Sequence, residues 1–521
     1  MLASIPFASF APIILLGVAA FAMFRRGRRP GVLPRLSEVA ALLALALTLA
    51  GMVQVVMFGP IQTALAAEPL ALGMRANLVS ATMALLVGFI GWIVMRYSRT
   101  YLDGEEREGQ FHALMLATLA FVLVFVQAAS IAVLIAATIA VGVTLRRLLL
   151  FYPERREAHR AATKFALVWH GGDIMLLLAA IALSVRFGSL ELSSLASGVD
   201  AIGLGWIGHL AIAFLVVAAA LKTASFPLHG WLTEVMEAPT PVSALLHAGI
   251  INSGGVLLIT ASMLVSSSTG AMAALVMLGG LTALFGAAVM LTQSAVKTAL
   301  AWSTIAQMGF MLLQCGLGLW TLALLHIVAH SLYKAHAFLS SGGAVQEVTS
   351  IRRPGPVAVP SVGAVLKSFA LALVLYAVIA GAFVAVFGPK SPQALAMGAI
   401  LIFGVAYLFA QGLADLAPVE LTKRTVLTSS ATAIAYFAFQ AGAEALWESM
   451  LPSAPLPGPL EWALIVLALV SFGLVAFAQA LFPLWAHHPS TAGLRVHLAN
   501  GLYLNALLDR AIGGFRRVKS N

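Results

Sequence analysis

Apolar stretches of about twenty residues follow one another from Ala11 almost to Trp485, separated by short segments of charge, proline and glycine. A helix of that length is what crosses the hydrocarbon of a bilayer, and a repeated series of them leaves nothing with which to build a water-facing domain. With 61% hydrophobic and only 10% charged side chains, the chain is too apolar to cover itself in water. The expectation is an all-α, polytopic membrane protein of about 13–15 transmembrane helices, with residues 1–521 as a single membrane domain.

The net charge of +10 does not indicate a nucleic-acid partner, because the basic residues are scattered between apolar runs instead of sharing a face. The first run, Phe10 to Phe24, is followed by Arg25, Arg26, Arg28 and Arg29. A secretory signal has its charges in front, so this run reads as the first spanning helix. The one cysteine, Cys315, excludes a disulfide framework and a cysteine-held cluster or zinc site. No nucleotide, flavin or quinone motif is evident, so no cofactor is expected in this chain.

Bounded by charge, proline and glycine, the runs give about fifteen candidate helices. They cover roughly 8–24, 37–59, 76–97, 112–129, 130–150, 165–186, 207–233, 241–265, 271–293, 297–316, 319–344, 361–388, 394–414, 426–448 and 461–483. Alternate loops then differ sharply in Lys and Arg, as the positive-inside rule requires. With the N-terminus outside and the C-terminus in the cytoplasm, 23 of the 30 basic residues fall in cytoplasmic loops and the tail, among them Arg96, Arg147, Arg156, Arg352 and Arg517. Arg75, Arg186 and Lys390 lie outside. Lys222, Lys297, Lys334 and Lys367 fall within or at the ends of helices, and orientation does not account for them.

A charged side chain at the bilayer centre costs roughly 2.5–3.5 kcal/mol even on a lenient scale, so protein or water must compensate it. Lys222 stands in HLAIAFLVVAAALKTASFPLHGWL, five residues before Pro227. A proline there breaks the helix and frees carbonyls at membrane depth, where a lysine can exchange its proton as water comes and goes. In LLHIVAHSLYKAHAFLSSGG, His326, His330 and Lys334 recur at every fourth residue, one stripe of a helix. Histidine both gives and takes protons near neutrality, so the stripe reads as a relay. The same pair could serve as zinc ligands, but no Glu follows His326 and no third ligand is evident. Histidines satisfied by neighbouring helices are the other reading. His247 follows the helix-breaking EAPTPVSALL, Lys297 opens a helix in QSAVKTALAWST, and Asp173 lies within a helix in WHGGDIMLLL, with Glu234 and Glu237 near the break.

Three segments carry a resemblance: LKTASFPLHGWLTEVMEAPTPVSALLHAGIINSGGVLL, VKTALAWSTIAQMGFMLL and LLHIVAHSLYKAHAFLSSG. The sequence resembles the antiporter-like membrane subunits of respiratory complex I and of the multi-subunit cation/proton (Mrp-type) antiporters. The resemblance implies inverted repeats, a broken seventh helix, and a proton path through Lys222, His247, Lys297, His326, His330 and Lys334. It divides the chain into N-terminal helices (1–110), an antiporter-like core (111–420) and C-terminal helices with a cytoplasmic tail (421–521). It also implies a glutamate on the fifth helix opposite Lys222. The aligned stretch has no acid, and Ile139 stands at the expected place; Asp173, where the family also has an acid in its GD motif, is the candidate substitute, and Glu237 is a second candidate acid. The lysine or glutamate of the family's twelfth helix has no counterpart.

Within that family, RRLLLFYPERREA, MLLQCGLG and VHLANGLYLNALLDR are similar to the membrane subunits of inorganic-carbon accumulation (DAB) complexes. The implied protein is not an enzyme but an ion-translocating subunit of a bacterial inner membrane. It would conduct protons, or sodium, to energise CO2 or bicarbonate uptake with a DabA-type, carbonic-anhydrase-like peripheral subunit that holds the zinc. The alternative is a pumping subunit of an NADH- or ferredoxin-driven respiratory complex or of an Mrp-type sodium/proton antiporter.

Overall fold

A computed structural model describes residues 5–64, 72–342, 361–412, 419–485 and 488–512. Arg352, Asp415 and Arg517 lie outside the described residues. Most of the apolar runs become helices: α1 (Ala11–Ala22), α2 (Leu33–Phe58), then, after a short hairpin of β1 (Ile61–Ala64) and β2 (Gly73–Ala76), α3 (Leu78–Tyr101), α4 (Glu108–Val126), α5 (Ile131–Leu149) and α6 (Arg156–Phe187). A short α7 (Leu192–Ile202) precedes α8 (Gly205–Lys222), α9 (Gly230–Glu234), α10 (Thr240–Ala248), α11 (Ser253–Thr260) and α12 (Ser262–Ser266). The rest comprises α13 (Thr269–Met290), α14 (Val296–Gly316), α15 (Trp320–Ser340), α16 (Val362–Phe387), α17 (Pro392–Gly412), α18 (Val419–Trp447), α19 (Pro459–Ala480), α20 (Ala492–Ala499) and α21 (Leu504–Ala511).

Among the described residues, eleven helical segments are long and apolar enough to cross a membrane, with Phe7–Ala22, α7 and part of α17 as shorter apolar helices. Their outer faces carry bare aliphatic side chains such as Val56, Val185, Val378 and Leu474. In lipid such side chains meet their own kind, and association relies on close packing instead. Glycines supply that closeness between α13 and α14: a methyl group on Gly279 would lie 2.4 Å from Leu313 N, and one on Gly309 2.3 Å from Ala283 N.

Two breaks interrupt the regular helices. After Lys222 the chain turns through Ala224, held at φ 49°, and α9 resumes only at Gly230. The loosened strand is pinned by Phe226 N donating to Thr282 Oγ1 at 3.1 Å. The run expected as one helix over 241–265 is three pieces, parted at Gly249–Asn252 and at Ala261. Asn252 spans the first gap, donating to Ala248 O and to Ser331 Oγ of α15 at 3.1 and 2.9 Å.

Two assignments change. Lys164, which lies just before the apolar run at 165–186 and so falls in a loop by hydropathy, is fully buried in α6, which begins at Arg156. The hairpin, α7 and the C-terminal α20 and α21 carry no long apolar run, so hydropathy alone does not reveal them.

Candidate functional site

Lys222 ends α8 and is fully buried beside α6. There α6 presents Gly171 and Gly172 in succession. A methyl group on Gly172 would come within 3.3 Å of Lys222 Cγ, so the glycine lets the lysine stem lie along the neighbouring helix. The ammonium reaches Asp173 Oδ1 at 2.6 Å, donates a long 3.4 Å bond to Trp169 O, and sits 4.2 Å from the Trp169 ring centroid. His170 Nδ1 is 2.8 Å from the other oxygen, Asp173 Oδ2. Cation, carboxylate and imidazole thus share one turn of α6, and His170, more than a third exposed, is the end of the trio that opens outward. Sequence reasoning singled out Asp173 but missed His170, although both stand in the same WHGGD run.

A second group gathers on α14. Lys334 Nζ donates to Leu300 O at 3.2 Å and to Ser303 Oγ at 2.8 Å. The next residue, Thr304, meets His247 Nδ1 at 3.1 Å, and the His247 ring stacks on Phe338 with centroids 4.3 Å apart. One turn of α14 therefore holds a histidine from α10 and a lysine from α15. Unlike Lys222, fully buried Lys334 has no carboxylate against it among the described residues. Its charge is met by a carbonyl dipole and a hydroxyl, a weaker compensation than an ion pair.

From Lys334 the stripe continues along α15. The His330 and His326 rings lie 6.0 Å apart, and His326 Nδ1 is 2.9 Å from Gln314 Oε1. Both ring nitrogens of His330, and Nε2 of His247 and His326, have no protein partner among the described residues. Each retains a site at which a proton can be given or taken. As for the zinc reading of this pair, no group of three His, Cys, Asp or Glu suited to a metal ion occurs among the described residues.

Lys297 lies at the edge of this second group, half-buried, donating to Thr240 Oγ1 at 3.2 Å. Glu237 stands apart. Its carboxylate faces Arg155 at 3.7 Å and is 41% exposed, so Asp173 alone of the two candidate acids contacts Lys222. Among the described residues no hydrogen bond joins the Lys222 trio to the His247–Lys334 group; the broken backbone around Asn252 adjoins the second group through Ala248 and Ser331. Close contact there comes from Gly254, where a methyl group would lie 2.2 Å from Ala219 O.

Sequence reasoning also missed a buried ionic cluster nearer the start of α6, where α9 and α21 meet it. Lys164 Nζ is 2.5 Å from both Glu234 Oε1 and Asp509 Oδ1 and 2.6 Å from Asn505 Oδ1. Arg160 adds a contact to Glu234 at 3.5 Å. The signal was present in two places, in TEVMEAP and in the NALLDR of the C-terminal segment, but nothing in one dimension joins them.

The family model described as "NADH:quinone oxidoreductase/Mrp antiporter, TM" matches residues 139–354, and that of the complex I chain 5 N-terminus matches residues 66–112. A protein named probable inorganic carbon transporter subunit DabB2, from Halothiobacillus neapolitanus, is 36% identical over 457 residues, 85% of this chain and 80% of its own. The DabB of Hydrogenovibrio crunogenus is 43% identical over 54% of this chain, and the match spans about half of that relative's length. NADH-ubiquinone oxidoreductase chain 5 of Metridium senile is 34% identical over 52% of this chain and 46% of its own. Among solved structures, the Mrp complex from Dietzia sp. DQ12-45-1b has a chain that superposes with a TM-score of 0.63 at 22% identity, covering 97% of this chain and 59% of that one. A chain of an archaeal membrane-bound sulfane sulfur reductase superposes at 0.59 with 17% identity, covering 96% and 99%.

Proposed function

The chain belongs to the family of DabB inorganic carbon transporter subunits, which share the complex I and Mrp antiporter membrane domain, and on that premise we propose that it conducts protons across a bacterial inner membrane to energise inorganic carbon uptake. The N-terminus lies outside and the C-terminus in the cytoplasm, as the distribution of basic loops suggests. The chain itself carries the ions, and catalysis, with its zinc, belongs to a DabA-type carbonic-anhydrase-like partner.

The observation that carries this reading is the buried pair of Lys222 and Asp173 at the end of a broken helix, 2.6 Å apart, with His170 on the second oxygen. While the pair is closed the ammonium and carboxylate compensate one another. Separation leaves a charge without a counter-charge in a dry site, and transfer of the lysine proton removes that cost. Lys334, with Ser303 and a carbonyl in place of a carboxylate, is suited to accept and pass on a proton through His330 and His326. Each proton descending 100 mV releases roughly 2.3 kcal/mol, about a 50-fold bias in a coupled step. Such a bias makes hydration of CO2 on the partner effectively one-way.

Rescue of a carbonic-anhydrase-deficient host at ambient CO2 tests the reading. Loss of rescue with Lys222→Ala and with Lys334→Ala is the expected result, and full rescue by both variants overturns it. The resemblance to complex I chain 5 favours a second reading, a pumping subunit of an NADH- or ferredoxin-driven complex. Purification separates the two: a zinc protein bound to the chain supports carbon uptake, and iron–sulfur subunits support the respiratory alternative.

A further inference from the structure

Three basic side chains lie on the face that carries the hairpin and few other cations: Arg75, Arg186 and Lys390. Two of them are fully engaged. Arg186 donates to the carbonyls of Ile202, Gly203 and Leu204 at 2.6, 2.8 and 2.9 Å, closing the C-terminal end of α7. Lys390 pairs with Glu444, whose other oxygen takes a 3.0 Å bond from Gln440. Arg75 differs from both. Its guanidinium has no hydrogen-bond or ion-pair partner among the described residues, and its Nε is sealed from solvent.

Arg75 stands in β2 opposite Gln62 of β1. Gln62 is turned to Glu191, whose oxygens are also taken by Ser193 at 2.8 Å and Ser194 at 3.1 Å. The arginine instead lines a half-open cavity of about 290 Å³, shared with Gln62, Asn77, Ser193, Thr260 and Ser262. No carboxylate lines it among the described residues. One water needs roughly 10–15 Å³ of such space, so the cavity has room for a three- or four-oxygen anion and part of its hydration. Burial draws the Arg75 guanidinium down to about 10, which is still well above neutrality, so the group stays charged. An arginine that served only to orient the chain would keep its whole guanidinium among headgroups and water. This one is walled by the hairpin, α7, the α11–α12 corner and Leu451.

We propose that this cavity is a binding site for a small oxyanion, a carbonate- or phosphate-type group, gripped at two points by Arg75 and completed by the Thr260 and Ser262 hydroxyls. The planar fork of guanidinium N–H donors matches two oxygens of such a group, and a partly desolvated cation without a counter-ion gains most from one. The inference is independent of proton conduction. Its chemistry admits two sources, a soluble anion or the phosphate of an anionic lipid, since Leu192, Met263 and Leu451 give the cavity an apolar side.

The full chain in nanodiscs of phosphatidylcholine is titrated with bicarbonate and with inorganic phosphate, with chloride at matched ionic strength as reference, and the unfolding midpoint and heat of binding are read. A soluble ligand gives saturable stabilisation by an oxyanion beyond chloride, weakened roughly tenfold by Arg75→Gln and less by Arg75→Lys. A lipid ligand gives no such response, but native mass spectrometry then finds an anionic lipid retained by the wild type and lost from Arg75→Gln. The inference is overturned if the wild type treats oxyanions as it treats chloride and retains no anionic lipid, or if Arg75→Gln matches it in both measurements. Should Arg75→Gln fail to assemble, Ser262→Ala takes its place: weakened binding supports the site, and unchanged binding overturns it.

Discussion

Lys222 and Asp173 stand 49 positions apart in sequence and meet at 2.6 Å in the buried interior between α6 and α8. Removing one member of such a pair strands the other, which costs about 3–5 kcal/mol, whereas replacing both by apolar groups of similar volume is often neutral. Asp173→Asn should therefore lower stability by that order, and the double variant Asp173→Leu with Lys222→Met should recover most of it. Proton flux should be absent from both. Unfolding in mixed micelles combined with a vesicle flux assay checks the pattern, and conduction by the stable double variant would contradict the role given to the pair.

Among the described residues, Ser303 is the one hydroxyl that accepts from Lys334. A hydrogen bond to a charged group contributes about 1.5–3 kcal/mol. Ser303→Ala is expected to reduce proton flux strongly while leaving a folded protein, and Ser303→Thr to restore it. Flux in proteoliposomes, normalised to folded protein, reads both.

The cluster of Lys164 with Glu234, Asp509 and Asn505 fastens α21 to α6 and α9. Lys164→Met leaves the two carboxylates with only the longer contacts of Arg160, 3.5 Å to Glu234 and 4.0 Å to Asp509, so α21 should detach while the spanning helices stay folded. Hydrogen exchange should rise over residues 504–511 and remain unchanged over α13 and α14. Gly230→Ala, whose methyl group would lie 2.2 Å from Asn505 Oδ1, should loosen the same contact more mildly.

At the crossing of α13 and α14, a methyl group on Gly309 would meet backbone on two sides, Ala283 N at 2.3 Å and Gly279 O at 2.7 Å. Backbone cannot swing aside as a side chain can. Gly309→Ala should lower the thermal midpoint by the equivalent of about 1–3 kcal/mol. Gly280→Ala, in open space on the same helix pair, should leave it unchanged.

Most helices were legible because a spanning helix must be apolar over its whole length, and the runs at 37–59 or 271–293 differ from α2 and α13 by only a few residues. The elements that were not legible lack that requirement. The hairpin and α7 cap one face, and α20 and α21 lie on the other, so their amphipathic or polar sequences carry no comparable period. Lys164 was misplaced for a related reason. Its position near a helix end looks like an interfacial anchor until Glu234 and Asp509 are seen to converge on it.

The candidate site divides in the same way. The sequence alone determined that Lys222, Lys334 and the histidine stripe belong to apolar helical runs, because a charge inside such a run is evident without coordinates. It also determined the stripe itself, since residues four apart share a helix face whatever surrounds it. Only the tertiary structure decided the partners. It set Asp173 against Lys222, left Lys334 with a hydroxyl and a carbonyl, and turned Glu237 out to Arg155. The reason is physical: depth and face follow from local order along one helix, but compensation of a buried charge depends on which helices come together and where a glycine lets them approach.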